Sequence, residues 1–228
     1  MVKINVIALL ALFMIVQYAY CQSFMYKSAD HYNDRVLEFN GMCDIDSADI
    51  VMLGNSLTEY AGDWNKLLKW KHIRNRGIAG DDAFGIYHRL NKILEGKPKA
   101  IFLMVGINDL CHDLSPTQVA ELCEKVVAKI NLESPTTKLF VESLLPINET
   151  FKVWTKLNGK TNDVPQINRL LVKYCKRHRI TFINLFPKFV RHGCNELRKD
   201  MTVDGLHLNA FGYKVWAFEM HKYLMEIK

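Results

Sequence analysis

The chain of 228 residues lacks several features that mark whole classes of protein. It contains no low-complexity tract, no Pro-, Gly- or Ser-rich linker and no internal repeat, so a single compact domain is expected after any leader. No CxxC spacing or Cys/His cluster is present, which argues against a zinc site. A glycine-rich phosphate loop is missing too: Gly54-Asn55-Ser56-Leu57 stands where G-x-G-x-x-G spacing would be needed, which sets aside a nucleotide-binding domain. The formal net charge is +6, but the basic residues are spread. Their densest groups, 66–76 and 173–179, fall within or beside helical patterns that a solvated helix face explains, and a nucleic-acid patch needs a sharper cluster with interleaved aromatics, so nucleic acid is not an expected partner. Beyond the leader no long amphipathic helix marks a membrane-binding surface.

What is present begins with that leader. Lys3 supplies a positive start, residues 4–16 are almost unbroken apolar, and Ala19-Tyr20-Cys21 places small residues at −3 and −1 of a cleavage site before Gln22. The run is shorter than the roughly 20 residues of a membrane span. Residues 1–21 therefore read as a signal peptide, residues 22–228 as one domain, and the destination as secreted or periplasmic. An uncleaved anchor is the alternative. Tyr20 sits where a lipoprotein site wants a small residue. Cleavage also removes Cys21 and leaves Cys43, Cys111, Cys123, Cys175 and Cys194; an odd count leaves at least one thiol free or paired between chains.

Along the rest of the chain, short apolar runs alternate with helical patterns. Strands are expected at 49–53, 72–76, 100–105, 138–145 and 180–185, and helices at 30–40, 57–70, 83–94, 116–130, 164–178 and 211–225. Residues 147–163 have no clear period and read as a surface excursion, and Cys111-His112-Asp113 as a loop. Strands alternating with helices imply crossovers and a parallel sheet covered on both faces. Ligands of such sheets sit beyond the carboxyl ends of the strands.

Four segments at those ends carry chemistry. Gly54-Asn55-Ser56-Leu57-Thr58 bends sharply after a strand and presents Ser56 at the rim, with its N–H at a helix N-terminus where negative charge is favoured. A serine in that place is more often a helix cap. Asn75-Arg76-Gly77-Ile78-Ala79-Gly80-Asp81 holds two glycines that permit close backbone approach, and the Gly80 N–H is a candidate oxyanion donor. The side-chain amide of Asn108, in Gly106-Ile107-Asn108-Asp109, can donate to a developing oxyanion, an interaction worth about 3 kcal/mol in the transition state. It can equally form an Asx turn. In Asp204-Gly205-Leu206-His207-Leu208-Asn209, the three-residue spacing can bring the Asp204 carboxylate to one nitrogen of His207, leaving the other for a serine hydroxyl. A capped turn with Asn209 at the next helix reads equally well.

Ser56, Gly80, Asn108 and His207 occur in the order and contexts of the SGNH hydrolases, the GDSL esterase/lipase family, which the chain resembles from about residue 49 to 212. The resemblance implies a flavodoxin-like three-layer α/β/α sandwich with a central parallel sheet. It also implies a metal-free, cofactor-free Ser56–His207–Asp204 triad and an oxyanion hole of the Ser56 and Gly80 N–H groups with the Asn108 amide. One departure is visible: the family's first block usually reads Gly-Asp-Ser-Leu, and here Asn55 replaces the Asp, keeping an acceptor oxygen and losing the charge.

The expected reaction is ester hydrolysis through an acyl-enzyme, with a short acyl group, acetyl foremost, on a carbohydrate as the favoured substrate. Trp64 and Trp154 are candidate walls of a sugar site, although buried packing explains a tryptophan as often. A lysophospholipase- or arylesterase-type enzyme, or a non-catalytic glycan-binding domain on the same fold, are the alternatives. Asn148-Glu149-Thr150 fits a glycosylation acceptor. The sequence gives no hold on oligomeric state.

Overall fold

The computed structural model describes residues 29–227; the expected leader, 1–21, lies outside them. Five strands form one parallel sheet. β1 (Ile50–Gly54), β2 (Ile73–Gly77), β3 (Ala100–Met104), β4 (Lys138–Glu142) and β5 (Thr181–Ile183) are arranged in the order β2-β1-β3-β4-β5. Every residue of β1 and β3 is buried, because helices cover both faces of the sheet and a parallel strand then needs apolar side chains throughout. The strand order reverses between β1 and β3, and it is there that open α/β sheets place their ligands.

Around the sheet lie α1 (Ala29–Gly41), α2 (Ser56–Glu59), α3 (Trp64–Leu68), α4 (Ala83–Glu95), α5 (Pro116–Glu133), α6 (Asp163–His178), α7 (Phe186–Phe189) and α8 (Ala210–Met225). The helices α4, α5 and α6 pack side by side, while α3 packs on α8. Beneath α8, Phe140 stacks on Phe102 at 4.5 Å and meets Tyr223 edge-on. None of the helices among the described residues is long and apolar enough to cross a membrane.

Local chemistry sets the helix ends. Ser115 and Gln118 form a reciprocal capping box with Pro116 in the first turn of α5. Asn209 accepts from the N–H groups of Phe211 and Gly212 and so starts α8. The single helix expected over 57–70 is instead two short ones. Asp63 caps a new helix through Asn65 and Lys66, and Lys69 ends it in the left-handed region. β4 and β5 are shorter than expected, because the chain leaves the sheet at Ser143, whose hydroxyl accepts from the Leu185 and Phe186 N–H groups. The segment 111–113 is not a plain loop: Asp109–His112 is a 3₁₀ turn, and His112 faces Asp82 at 3.3 Å.

All five cysteines of the described residues are free thiols. Burial raises the thiol pKa of Cys123 and Cys175, the latter to about 12, which keeps both protonated and unreactive.

Candidate active site

The cleft at the carboxyl ends of β1 and β3 is built from several loops. β1 ends at Gly54, whose added Cβ would stand 2.2 Å from the Thr58 hydroxyl and 2.7 Å from the Met104 carbonyl; only glycine lets α2 turn back so closely. Asn55 accepts from the Leu57 N–H and caps the helix, yet its Nδ2 is buried without a partner. A buried unpaired donor of this kind costs about 1–3 kcal/mol. Ser56 is the first residue of α2 and is 5% exposed.

The last link before α8 brings the histidine. His207 Nε2 lies 2.9 Å from Ser56 Oγ, and its Nδ1 lies 2.7 Å from Asp204 Oδ2. The second carboxylate oxygen of Asp204 accepts from the N–H groups of Leu206 and His207. Burial raises the Asp204 pKa, but the hydrogen bonds from the His207 ring and these two N–H groups outweigh it and hold the carboxyl below its ordinary value. Asp204 is thus an anion fixed against the Nδ1 edge of the imidazole. The carbonyl of His207 is in turn held by the Thr202 hydroxyl at 2.6 Å, which also accepts from the Gly205 N–H.

Gly80 and Asn108 line the same cleft, with Ser56, Tyr60, Trp154 and Leu206. Gly80 stands at φ +83°, a conformation that favours glycine. Its N–H and that of Ser56 donate to no protein acceptor among the described residues, the second because first-turn N–H groups have no partner within a helix. Asn108 gives one amide hydrogen to the Asp81 carbonyl at 2.8 Å, leaving the other for a ligand. The turn before Gly80 is pinned by Glu59, which accepts from the Ala79 N–H and pairs with His31 and Arg35 of α1. Behind it, Asp109 accepts from the Ala83 N–H, and burial followed by repulsion from Asp82 raises its pKa well above the ordinary carboxylate range.

The two tryptophans part company. Trp154, 39% exposed, lines the cleft and stands edge-on to His207 at 5.1 Å, opposite Tyr60, whose ring is also 5.1 Å from the imidazole. Trp64 does not wall a sugar site. It is 1% exposed, meets Trp216 edge-on, and donates to the Thr58 carbonyl, so it packs the core and satisfies a carbonyl of the short α2. Asn148 corrects a second reading. It is buried, its Nδ2 donates to the Leu197 carbonyl, and its own N–H donates to the Gly205 carbonyl, so the folded chain offers no free amide for a glycan and uses Asn148 to fix the loop that carries His207. Tyr60, His31, Glu59 and Thr202 carry no sequence motif, and the motif at Asn148 pointed to a different role. Only Thr202, two residues before Asp204, had a local signal, that of a hydroxyl bonding to its own turn.

A parallel sheet with these groups at the rim of its switch point is the architecture of an SGNH-type ester hydrolase. The chain belongs to the GDSL-like Lipase/Acylhydrolase family, whose model matches residues 46–215, and it is a carboxylic ester hydrolase. It is 27% identical over 190 residues to platelet-activating factor acetylhydrolase IB subunit alpha2 of Gallus gallus, covering 81% of this chain and 80% of the relative. Among solved structures, a GDSL-like lipase from Bacteroides thetaiotaomicron superposes with a TM-score of 0.75 at 18% identity, covering 86% of this chain and 98% of the other. The acetyl xylan esterase AlAXEase superposes with a TM-score of 0.62 at 19% identity, covering 77% and 99%.

Proposed function

We propose that the protein removes short acyl groups, acetyl foremost, from carbohydrate esters through a covalent acyl-Ser56 intermediate. The observation that carries this reading is the unbroken hydrogen-bond chain Ser56–His207–Asp204 at 2.9 and 2.7 Å, set beside two unpaired backbone donors. In the first step His207 Nε2 takes the hydroxyl proton as Ser56 Oγ attacks the ester carbonyl. The oxyanion is held by the N–H groups of Ser56 and Gly80 and the Asn108 amide. The protonated His207, oriented by Asp204, then passes its proton to the leaving alcohol. Water, deprotonated by the same histidine, attacks the acyl-enzyme, and Ser56 recovers its proton as the acid departs.

The choice of acyl group and alcohol is supported by the shape of the site and by its relatives. A cleft of about 420 Å³ flanked by Trp154 and Tyr60 suits a sugar face lying on an aromatic wall beside Ser56. One relative bears the name of an acetylhydrolase and one structural neighbour that of an acetyl xylan esterase. A secreted or periplasmic location, as the leader suggests, places the enzyme where decorated glycans are met.

The test is hydrolysis of p-nitrophenyl esters of increasing chain length and of acetylated xylan by wild type and Ser56→Ala. The variant is expected to lose about 10⁶-fold in kcat while melting at the same temperature. Wild-type rates in Ser56→Ala overturn the nucleophile. A preference for long acyl chains overturns the acetyl assignment and points to lipid esters.

A further inference from the structure

Away from Ser56, a second cavity of about 240 Å³ opens between α1 and α4 beside β2. Val36, Phe39, Ile45 and Ile93 form its apolar side, and Arg76 and Arg89 its basic side. Both arginines are unusual. Arg76 is 4% exposed, yet no carboxylate pairs with it among the described residues. Asp49 is taken by Arg74 and Asp81 by Arg89. Its hydrogen bonds run only from Nη1, to the Asn75 carbonyl and the Met42 sulfur, and its guanidinium lies over the Phe39 ring at 4.7 Å. Burial, then the charges of Arg74 and Arg89, push its pKa down to about 10. Arg89 gives Nε to Asp81 and Nη2 to the Gly54 carbonyl, which leaves its Nη1 buried and unbonded.

A guanidinium removed from water without a counter-charge is costly, and Arg76, which lines the cavity with no carboxylate partner and with Nε and Nη2 unbonded, calls for an anion. The acid on the lining, Asp44, is solvent-exposed and engaged by Lys92 at 3.5 Å, so it does not neutralise the interior. The volume is below the roughly 300 Å³ at which pockets begin to take drug-sized ligands, and half of the wall is hydrocarbon. We propose that this cavity binds a small organic carboxylate, its two oxygens on the unbonded Nε and Nη2 of Arg76 and its short alkyl part against Val36, Phe39 and Ile45. Arginine's planar fork fits a carboxylate in this bidentate manner. The site does not depend on Ser56 being the nucleophile.

Thermal melting and isothermal titration of full-length Ser56→Ala protein, with sodium butyrate, phosphate and chloride at matched ionic strength, test this. Butyrate is expected to raise the melting temperature by several degrees over chloride, as a ligand that binds the folded state must. That rise is expected to vanish when Arg76→Met is added. Without ligand, Arg76→Met is expected to melt no lower than its parent, since it removes an unpaired buried charge; a merely structural arginine would lower it. Val36→Phe, which fills the cavity and leaves both guanidiniums in place, must also abolish the butyrate response. No response beyond chloride overturns the site, as does a response that survives either substitution. An equal response to phosphate, which has no alkyl part, overturns the carboxylate assignment.

Discussion

At the scale of single residues, the same amino acid serves opposite ends in this fold. Trp64 is sealed against Trp216, so Trp64→Ala is expected to cost about 3–5 kcal/mol of stability in denaturant titration. Trp154→Ala is expected to leave stability within about 0.5 kcal/mol and to raise KM for an acetylated glycan about 3- to 10-fold, the worth of an aromatic contact. Unchanged KM on the glycan would remove Trp154 from the substrate wall. Glu142 offers a different test. Buried at the end of β4 with the Trp216 N–H on one oxygen, it has a carboxyl pKa raised by burial from 4.5 to about 8. The folded state therefore holds this proton more tightly than the unfolded one. Its contribution is complete below about pH 4.5 and declines as pH rises toward 8, at no more than about 1.4 kcal/mol per pH unit. Glu142→Gln keeps an acceptor for Trp216 and should flatten the decline, measured as unfolding free energy between pH 5 and 8 (roughly the window that the shift defines).

Among elements, the loop from Met201 to Asn209 matters most, because it holds both Asp204 and His207 against an excursion whose regular structure is two short 3₁₀ turns, Glu149–Phe151 and Thr155–Leu157. Gly205 stands at φ +89°, and a Cβ there would meet the Asn148 carbonyl at 2.3 Å. Gly205→Ala is expected to cost more than about 2 kcal/mol, strain and collision together, and to lower kcat by displacing His207. Gly159→Ala is the matched control. Its φ of +79° is similar, but nothing lies within 4 Å of the added carbon, so it should cost about 1 kcal/mol and leave kcat alone. If both variants kept full kcat, the packing of Gly205 on Asn148 would not position the histidine. These elements also divide what the sequence disclosed from what it concealed. β1 and β3 were legible because strands buried on both faces must be apolar throughout, and Ser56, Gly80, Asn108, Asp204 and His207, which the cleft brings together, were legible because each sits in a short local motif. The break at Asp63, the anchoring by Asn148 and the cavity between α1 and α4 were not. The last two depend on partners distant in the chain, as Asn148 does on Leu197 and Gly205, and such partners leave no period or spacing to read; the break at Asp63 rests on a local cap through Asn65 and Lys66 that the apolar and basic pattern of 57–70 masked.

On the scale of the whole molecule, the sheet order β2-β1-β3-β4-β5 places the first strand inside the sheet, next to the central β3, and the cleft is completed from the end of the chain. Ser56 follows the first strand, whereas its hydrogen-bond partner His207 lies 151 positions further on, just before the last helix. Contacts of such long separation form late, since loop closure must precede them. On refolding from denaturant, far-UV circular dichroism is expected to recover before Ser56 becomes reactive toward a fluorophosphonate probe; simultaneous recovery would mean that the rim forms with the sheet. The same separation has a consequence during biosynthesis. Under the mechanism proposed above, a growing chain carries its serine from early on but gains no base to activate it until nearly all of the polypeptide has emerged. Such a protein is silent toward the esters of the cell that makes it for as long as it is nascent or held unfolded, and its activity begins only where folding ends.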